Sequence, residues 1–344
     1  MTRHLGRFVT YAAAAAAIAS LMPLAARLGW AFELATHFRV QYVVVDVLLA
    51  IVLAAQRKFA FSLLLVGCAA LSVSVVVPYV ALSGAPIAAS TEPARPTDQG
   101  APTVPAAPAA PEAPAATAAP TIKLLSANVF FRNRSAKRLL EIIRRESPDV
   151  VVLVEYTPEW AAMVDELRAA YPHRIESPET TAYGIALFSR LALESAEPIT
   201  LGDSTAIEAR VLTPSGALAL IAVHLRSPIT PARGRLRNRQ LDELAARVER
   251  VARPVVVIGD FNLTPYSPYF TDWIARTGLT DTRRGRTLSP SWPTFLPLLA
   301  VPIDHCAVSP DITIITHRSL PAFGSDHYPI LAELALAAPR SSRN

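Results

Sequence analysis

Cysteine is nearly absent from this chain: Cys68 and Cys306 are the only two. Two thiols cannot build a disulfide framework or a zinc-finger site, and Cys68 lies inside an apolar run, so both read as free thiols. Lysine is scarce as well, with Lys58, Lys123 and Lys137 the only three among 33 basic residues. The arginine excess suits planar, bidentate contacts to phosphate, although GC-rich coding gives the same bias. No internal repeat is evident. Charge is missing from most of the first third, where apolar and Ala/Pro-rich segments are concentrated. What remains is a chain of 344 residues with a formal net charge of +5. That length allows one or two domains. The charge suits anionic partners such as phosphates, nucleic acid or lipid headgroups without choosing among them.

Three regions follow from the patterning. Residues 1–83 hold three apolar runs, 8–26, 40–56 and 59–83, each read as a transmembrane helix against a hydrocarbon core of about 30 Å. Asp46 is the interior charge of the second run. Arg3, Arg7, Arg57 and Lys58 flank one side, and Arg27 and Arg39 flank the short loop between the first two runs. That bias predicts a multi-pass protein of the inner or plasma membrane, with the N-terminus inside and everything after the third run outside. A cleaved signal peptide is the rival reading of the first run, and it leaves the final sidedness unchanged. Residues 84–120 are Pro/Ala-rich with no apolar period, which predicts a disordered, semi-extended spacer.

Residues 121–338 read as one globular domain, with 339–344 as a tail. Apolar β-type runs ("TIKLLSANVF", "DVVVLVEY", "YGIALFSR", "AIEARVL", "ALALIAVHL") alternate with helical ones ("AKRLLEIIRRE", "PEWAAMVDELRAAY", "ARGRLRNRQLDELAARVERVA", "SPYFTDWIART"). "DHCAVS", "ITIITHRSL" and "YPILAELAL" close the domain as strands. Hairpins mixed with strand–helix alternation predict an α/β or α+β sandwich, not a purely parallel doubly wound sheet.

Polar residues recur where apolar strands stop: Asn128, Glu155, His224, Asp260 with Asn262, and Asp304, while Ser325-Asp326-His327 precedes the last strand. Each alone has an ordinary reading as a turn residue or a strand-end charge. Together they deliver carboxylates and amides to one edge of a sandwich. The chemistry that fits is metal-assisted hydrolysis of a phosphate ester. A hard cation, Mg2+ with Mn2+ as the alternative, takes oxygen ligands and keeps several waters. Glu155 is its best principal ligand. Asp260 would orient or deprotonate the attacking water, and Asn262 would donate to the charge developing at phosphorus. His327 would stabilise the same charge or assist proton transfer, with Asp304 fixing its tautomer.

In this arrangement the chain resembles the endonuclease/exonuclease/phosphatase (DNase I-like) superfamily. The markers stand in order: "SANV", "VLVEYT", "YGIALFSR", "VHLRS", "GDFNLTP", "IDHCAVS" and "GSDHYPI". The resemblance covers residues 121–338 and implies a four-layer α/β sandwich of two facing sheets. It implies metal binding by Asn128, Glu155 and Asp326, water activation by Asp260, transition-state contacts from Asn262 and His224, and a His327–Asp304 pair. Tyr183 stands near the position of a phosphate-contacting tyrosine. Ala127 and Val154 occupy positions where the family often has an aromatic residue and a glutamine. The compact domain leaves little room for the insertions that grip duplex DNA.

Two substrate classes follow: extracytoplasmic nucleic acid, with phosphate contacts from the basic stretch Arg226–Arg239, or a lipid phosphate or pyrophosphate of the cell envelope. A tether near the bilayer favours the lipid, because it concentrates the site only on substrates that share the membrane. A non-catalytic binding module is the remaining alternative. No obligate protein partner is evident.

Overall fold

The computed structural model describes residues 2–80 and 120–336. The spacer and the tail assigned from sequence therefore lie outside the described residues, apart from Pro120. Four helices make up the first region: α1 (Thr2–Leu21), α2 (Trp30–Ala35), α3 (Arg39–Ala55) and α4 (Phe59–Val76). Short 3-10 segments extend α1 to Leu28, join α2 to α3, and carry α4 on to Tyr79. Gly6–Leu28, Trp30–Ala55 and Phe59–Tyr79 are each long and apolar enough to cross a membrane.

The short loop expected between the first two runs is in fact helical, Trp30 to Phe38. Its Glu33, Thr36 and His37 are buried. At 1.5 Å per residue the following α3 alone is about 26 Å long. The Lys58 ammonium donates to the Gly6 carbonyl at 2.6 Å, so the start of α1 meets the α3–α4 turn, and the connector and Tyr79 share the opposite end.

The second region has the helices α5 (Lys137–Glu146), α6 (Pro158–Met163), α7 (Leu167–Ala170), α8 (Pro231–Val248) and α9 (Pro268–Thr277). α6, α8 and α9 begin on Thr-Pro, Thr-Pro and Ser-Pro, with the hydroxyl accepting from a first-turn amide and proline at the first helical position. These are the residues that satisfy a helix start. The single helix expected over "PEWAAMVDELRAAY" is broken at Val164–Glu166 into α6 and α7.

The strands of the first sheet are β1 (Thr121–Asn128), β2 (Val150–Val154), β3 (His173–Ser177), β4 (Ile185–Ser189), β11 (Ile312–Ser319) and β12 (Ile330–Leu336). Those of the second are β5 (Leu193–Leu201), β6 (Ser204–Thr213), β7 (Gly216–His224), β8 (Val255–Asp260), β9 (Thr280–Asp281) and β10 (Asp304–Val308). Spatial order is β11-β12-β1-β2-β4-β3 in one and β5-β6-β7-β8-β10-β9 in the other. β3 and β5 escape the apolar pattern because they are edge strands, where side chains stay half exposed and Pro198 is tolerated, and β9 escapes it because it is only two residues long.

Between the sheets lies one core that includes Leu124, Val152, Leu220 and Ile258. The outer face of the first sheet is covered by Leu139, Ile143 and Trp160, that of the second by Leu241, Leu244 and Trp273. Helix, sheet, sheet and helix make the four layers of a DNase I-like sandwich.

The helical region packs directly on this sandwich. Arg237 of α8 donates to the Glu33 carboxylate at 2.6 Å, with both side chains buried. Trp30 donates to the Pro228 carbonyl at 2.6 Å. His37 Nδ1 lies 3.1 Å from the Thr264 hydroxyl, and Arg27 forks onto Asp272 at 2.6 and 2.8 Å.

Candidate active site

Strand register places the polar residues side by side. β7 runs parallel to β8 with His224 opposite Asp260, and β10 runs antiparallel to β8 with Asp304 opposite Asp260. Three neighbouring strands therefore present His, Asp and Asp at one edge of the second sheet. In the first sheet Asn128 ends β1 beside Val154, the residue before Glu155. Asp326 and His327 sit in the loop that enters β12, itself paired to β1. The two edges meet as a seam, and all eight residues expected from sequence converge on it.

Backbone geometry at the seam is unusual. Glu155 has φ +60° and Asn262 φ +50°, left-handed conformations that cost free energy in ordinary residues and gather at functional sites. Asn262 therefore does not continue the alternation of β8. Its amide donates to Asp260 Oδ1 at 2.8 Å and its carboxamide to the Leu225 carbonyl at 2.9 Å. The capped turn and the polar site are the same feature. Gly259 has φ +141°, and a Cβ there would stand 2.0 Å from the Val223 carbonyl oxygen. Glycine is needed for the close approach of β7, which keeps His224 and Asp260 in register.

Asp260 is the hub. Its Oδ2 accepts from the Asn128 carboxamide at 3.1 Å and lies 3.6 Å from His224 Nε2 and 3.8 Å from His327 Nε2. Burial, then the Asp304 charge, raises its carboxyl well above the usual carboxylate range. Burial would lower His327, but Asp304, hydrogen-bonded to Nδ1 at 2.8 Å, overrides it and holds the imidazole charged. His224 is lowered to about 4 by burial and by the charge of His327, so it is neutral. Tyr183 stacks on His224, with centroids 5.3 Å apart. Arg226 lies over the Tyr183 ring at 3.5 Å and forks onto Asp203.

Glu155 accepts from Asn128 at 3.0 Å and from the Phe131 amide at 3.0 Å. Burial leads in raising its carboxyl, and the charge of Asp326 adds to it. Asp326 accepts from Trp292 Nε1 at 3.1 Å. Asn128, implied as a metal ligand by resemblance, turns its amide nitrogen to Glu155 and Asp260, while its oxygen accepts from the Phe130 amide at 3.0 Å. In this arrangement it orients two carboxylates.

The donors suit a hard divalent cation: four carboxylates, Glu155, Asp260, Asp304 and Asp326, face one charged imidazole, and both thiols lie elsewhere. Asp260, Asp304 and His327 have ligand atoms mutually within 4.8 Å. Within that triplet His327 and Asp304 are hydrogen-bonded at 2.8 Å, while Asp260 stands 3.8 Å from the imidazole.

The seam opens into a cavity of about 660 Å3. Its far wall was not foreseen from sequence: Trp30, Leu34, His37 and Phe38 of the helical connector between α1 and α3 line it. The signal was there, since Trp30, Glu33 and His37 fall at helical spacing between two apolar runs. The basic stretch Arg226–Arg239 is partly spent on internal pairs, Arg226 with Asp203 and Arg237 with Glu33.

Solved structures share the fold. An endonuclease/exonuclease/phosphatase from Beutenbergia cavernae is 22% identical, with TM-score 0.52, covering 64% of this chain and 73% of its own. A family protein from Bacteroides thetaiotaomicron is 15% identical, with TM-score 0.52 over 64% of this chain and all of its own. D. rerio TDP2, complexed with a single-strand DNA product, is 18% identical, with TM-score 0.51 over 62% of this chain and 98% of its own. No curated protein sequence matches the chain. Residues 125–327, more than half of the 344, match the sequence profile of the Endonuclease/Exonuclease/phosphatase family. The chain belongs to that family.

Proposed function

We propose that the protein is a membrane-anchored, Mg2+-dependent phosphoric ester hydrolase whose catalytic domain lies outside the cytoplasm. The observation that carries the reading is the register of His224, Asp260 and Asp304 on adjacent strands, facing Glu155, Asp326 and His327 across the seam. Glu155 and Asp326 would hold the cation, with Asn128 fixing Glu155. When bound, the ion would offset negative charge on the phosphoryl oxygens.

The chain's own residues do the rest. Asp260 accepts a proton from water as the water oxygen attacks phosphorus. The P–O bond to the leaving group breaks, and that oxygen departs with the electron pair and takes a proton from solvent. The charged His327 and the neutral N–H of His224 face the oxygens that gain negative charge, and Asn262 offers its free amide hydrogen to the same region. Export rests on the arginine and lysine bias around the spans.

The test is hydrolysis of bis-p-nitrophenyl phosphate by the full chain in detergent micelles. Turnover is expected with Mg2+, none with a chelator, and a loss of about 10^2–10^4-fold in Asp260→Ala. Equal rates for wild type and Asp260→Ala would sink the reading.

A further inference from the structure

The hydrolytic seam shares its cavity with the part of the chain that leads into the membrane. Trp30, Leu34 and Phe38 form an apolar wall opposite His224 and His327, and Ile229 and Ile303 extend it. This wall is fixed in place. Trp30 is hydrogen-bonded to Pro228, and its ring fills the space that glycine leaves at Gly234, where a Cβ would stand 2.9 Å from the ring. Glu33 is held by Arg237, whose guanidinium also donates to the carbonyl of Asn262 at 2.9 Å. The connector and the catalytic turn are therefore tied to the same side chain.

Beside the cavity mouth runs a loop that a water-soluble enzyme has little reason to carry. Phe295 is 67% exposed and Leu298 92% exposed, with Leu296 and Leu299 also exposed. The loop sits at the level of the spans, because Gln41, in the first turn of α3, donates to the carbonyls of Leu298 and Ala300 at 3.3 Å. Leu24 and Leu28 at the end of the first span are exposed next to the same end of the bundle. With the spans in a bilayer, this loop meets the hydrocarbon boundary and its leucines have an apolar medium to enter. A nucleic-acid groove would instead need free cations along a backbone path and aromatic faces for stacking. Here Arg226 and Arg237 are paired and Tyr183 is covered by His224 and Arg226, which leaves Arg233, among the described residues, as a single unpaired cation on the cavity wall, not a path of them.

We infer that the substrate is a phosphate ester carried on a long hydrocarbon chain, entering sideways from the bilayer. Its phosphate reaches the Asp260–His327 seam, and its chain lies along Leu34 and Phe38 and out past the Phe295–Leu299 loop. This rests on the hydrolytic reading of the seam.

The experiment uses the full chain in phosphatidylcholine nanodiscs with Mg2+. It compares dodecyl p-nitrophenyl phosphate with methyl p-nitrophenyl phosphate, and adds single-stranded DNA as a third substrate. The dodecyl ester is expected to have at least tenfold higher kcat/KM than the methyl ester. That preference should fall at least tenfold in Phe38→Ser, and in Leu298→Asp, whose exposed site carries little risk to folding. Leu212→Ser, on an exposed face of β6 away from the cavity, should keep it. Equal kcat/KM for the two esters, a preference untouched by both variants, or faster cleavage of DNA would overturn the inference while leaving the hydrolytic reading intact. Absence of turnover on all three substrates would overturn both.

Discussion

At the scale of single residues, the site was more legible in the sequence than its geometry. Asn128, Glu155, His224, Asp260, Asn262, Asp304, Asp326 and His327 could be picked out because buried strands rarely end repeatedly in such groups. What sequence cannot give is which atom faces which. Strand alternation alone would point Asp260 and Asn262 the same way, whereas a left-handed backbone at Asn262 folds it back on Asp260. The orientation of the Asn128 amide likewise depends on the Phe130 backbone, which no pattern reveals.

Two outcomes belong at this scale. Asp304→Asn keeps the volume but removes the charge that holds His327 protonated, so kcat should fall by about 10^2-fold or more. KM and the unfolding midpoint should change little, as steady-state kinetics and a thermal scan would show. Asp281 is buried against Arg283, the two bonded at 2.8 Å. Burial alone would raise this carboxyl, but Arg283, with help from His305, holds it far below its ordinary value of 3.8. Because the folded value lies below the unfolded one, the stabilisation is full above about pH 4 and is lost as pH falls below it. Asp281→Asn should lower stability at neutral pH and flatten that acid limb in pH-dependent unfolding.

At the scale of elements, apolar periodicity gave most strands, and α5, α8 and α9, to within a few residues. The misses have a common cause. β3 and β5 are half-exposed strands at the sheet edges, and their composition answers to solvent as much as to the core. The connector was read as a loop because its polar face looks like a break between spans. That face is a docking surface, with Glu33 against Arg237 and Ser267.

Arg237→Met would leave the Glu33 carboxylate buried without its partner, at a cost of about 3–5 kcal/mol. The unfolding midpoint of the solubilised full chain should drop. The double variant Glu33→Leu/Arg237→Met should recover most of it, since no isolated charge remains. A double variant as unstable as the single would show that volume, not charge, dominates at this contact.

At the scale of the whole molecule, the Pro/Ala spacer left open how the domain sits on the helices that precede it. In the described residues the sandwich rests on the end of the helical bundle where Trp30–Phe38 and Tyr79 emerge. Composition could not reveal this, because contacts such as Arg27–Asp272 and Arg237–Glu33 join residues more than 200 positions apart in the chain. Sidedness is tested by single cysteines at exposed Asp242 and at the Arg57 turn, in a chain lacking Cys68 and Cys306. A membrane-impermeant maleimide on intact cells should label the first and not the second.

The central claim is that the seam directs water onto phosphorus. Its most direct test is turnover of dodecyl p-nitrophenyl phosphate by the full chain with Mg2+ in isotopically heavy-oxygen water, followed by mass spectrometry of both products. The account expects one solvent oxygen in the dodecyl phosphate, none in the p-nitrophenol, and loss of the reaction in Asp260→Ala. Label in the p-nitrophenol, or the same rate without the Asp260 carboxylate, would contradict it.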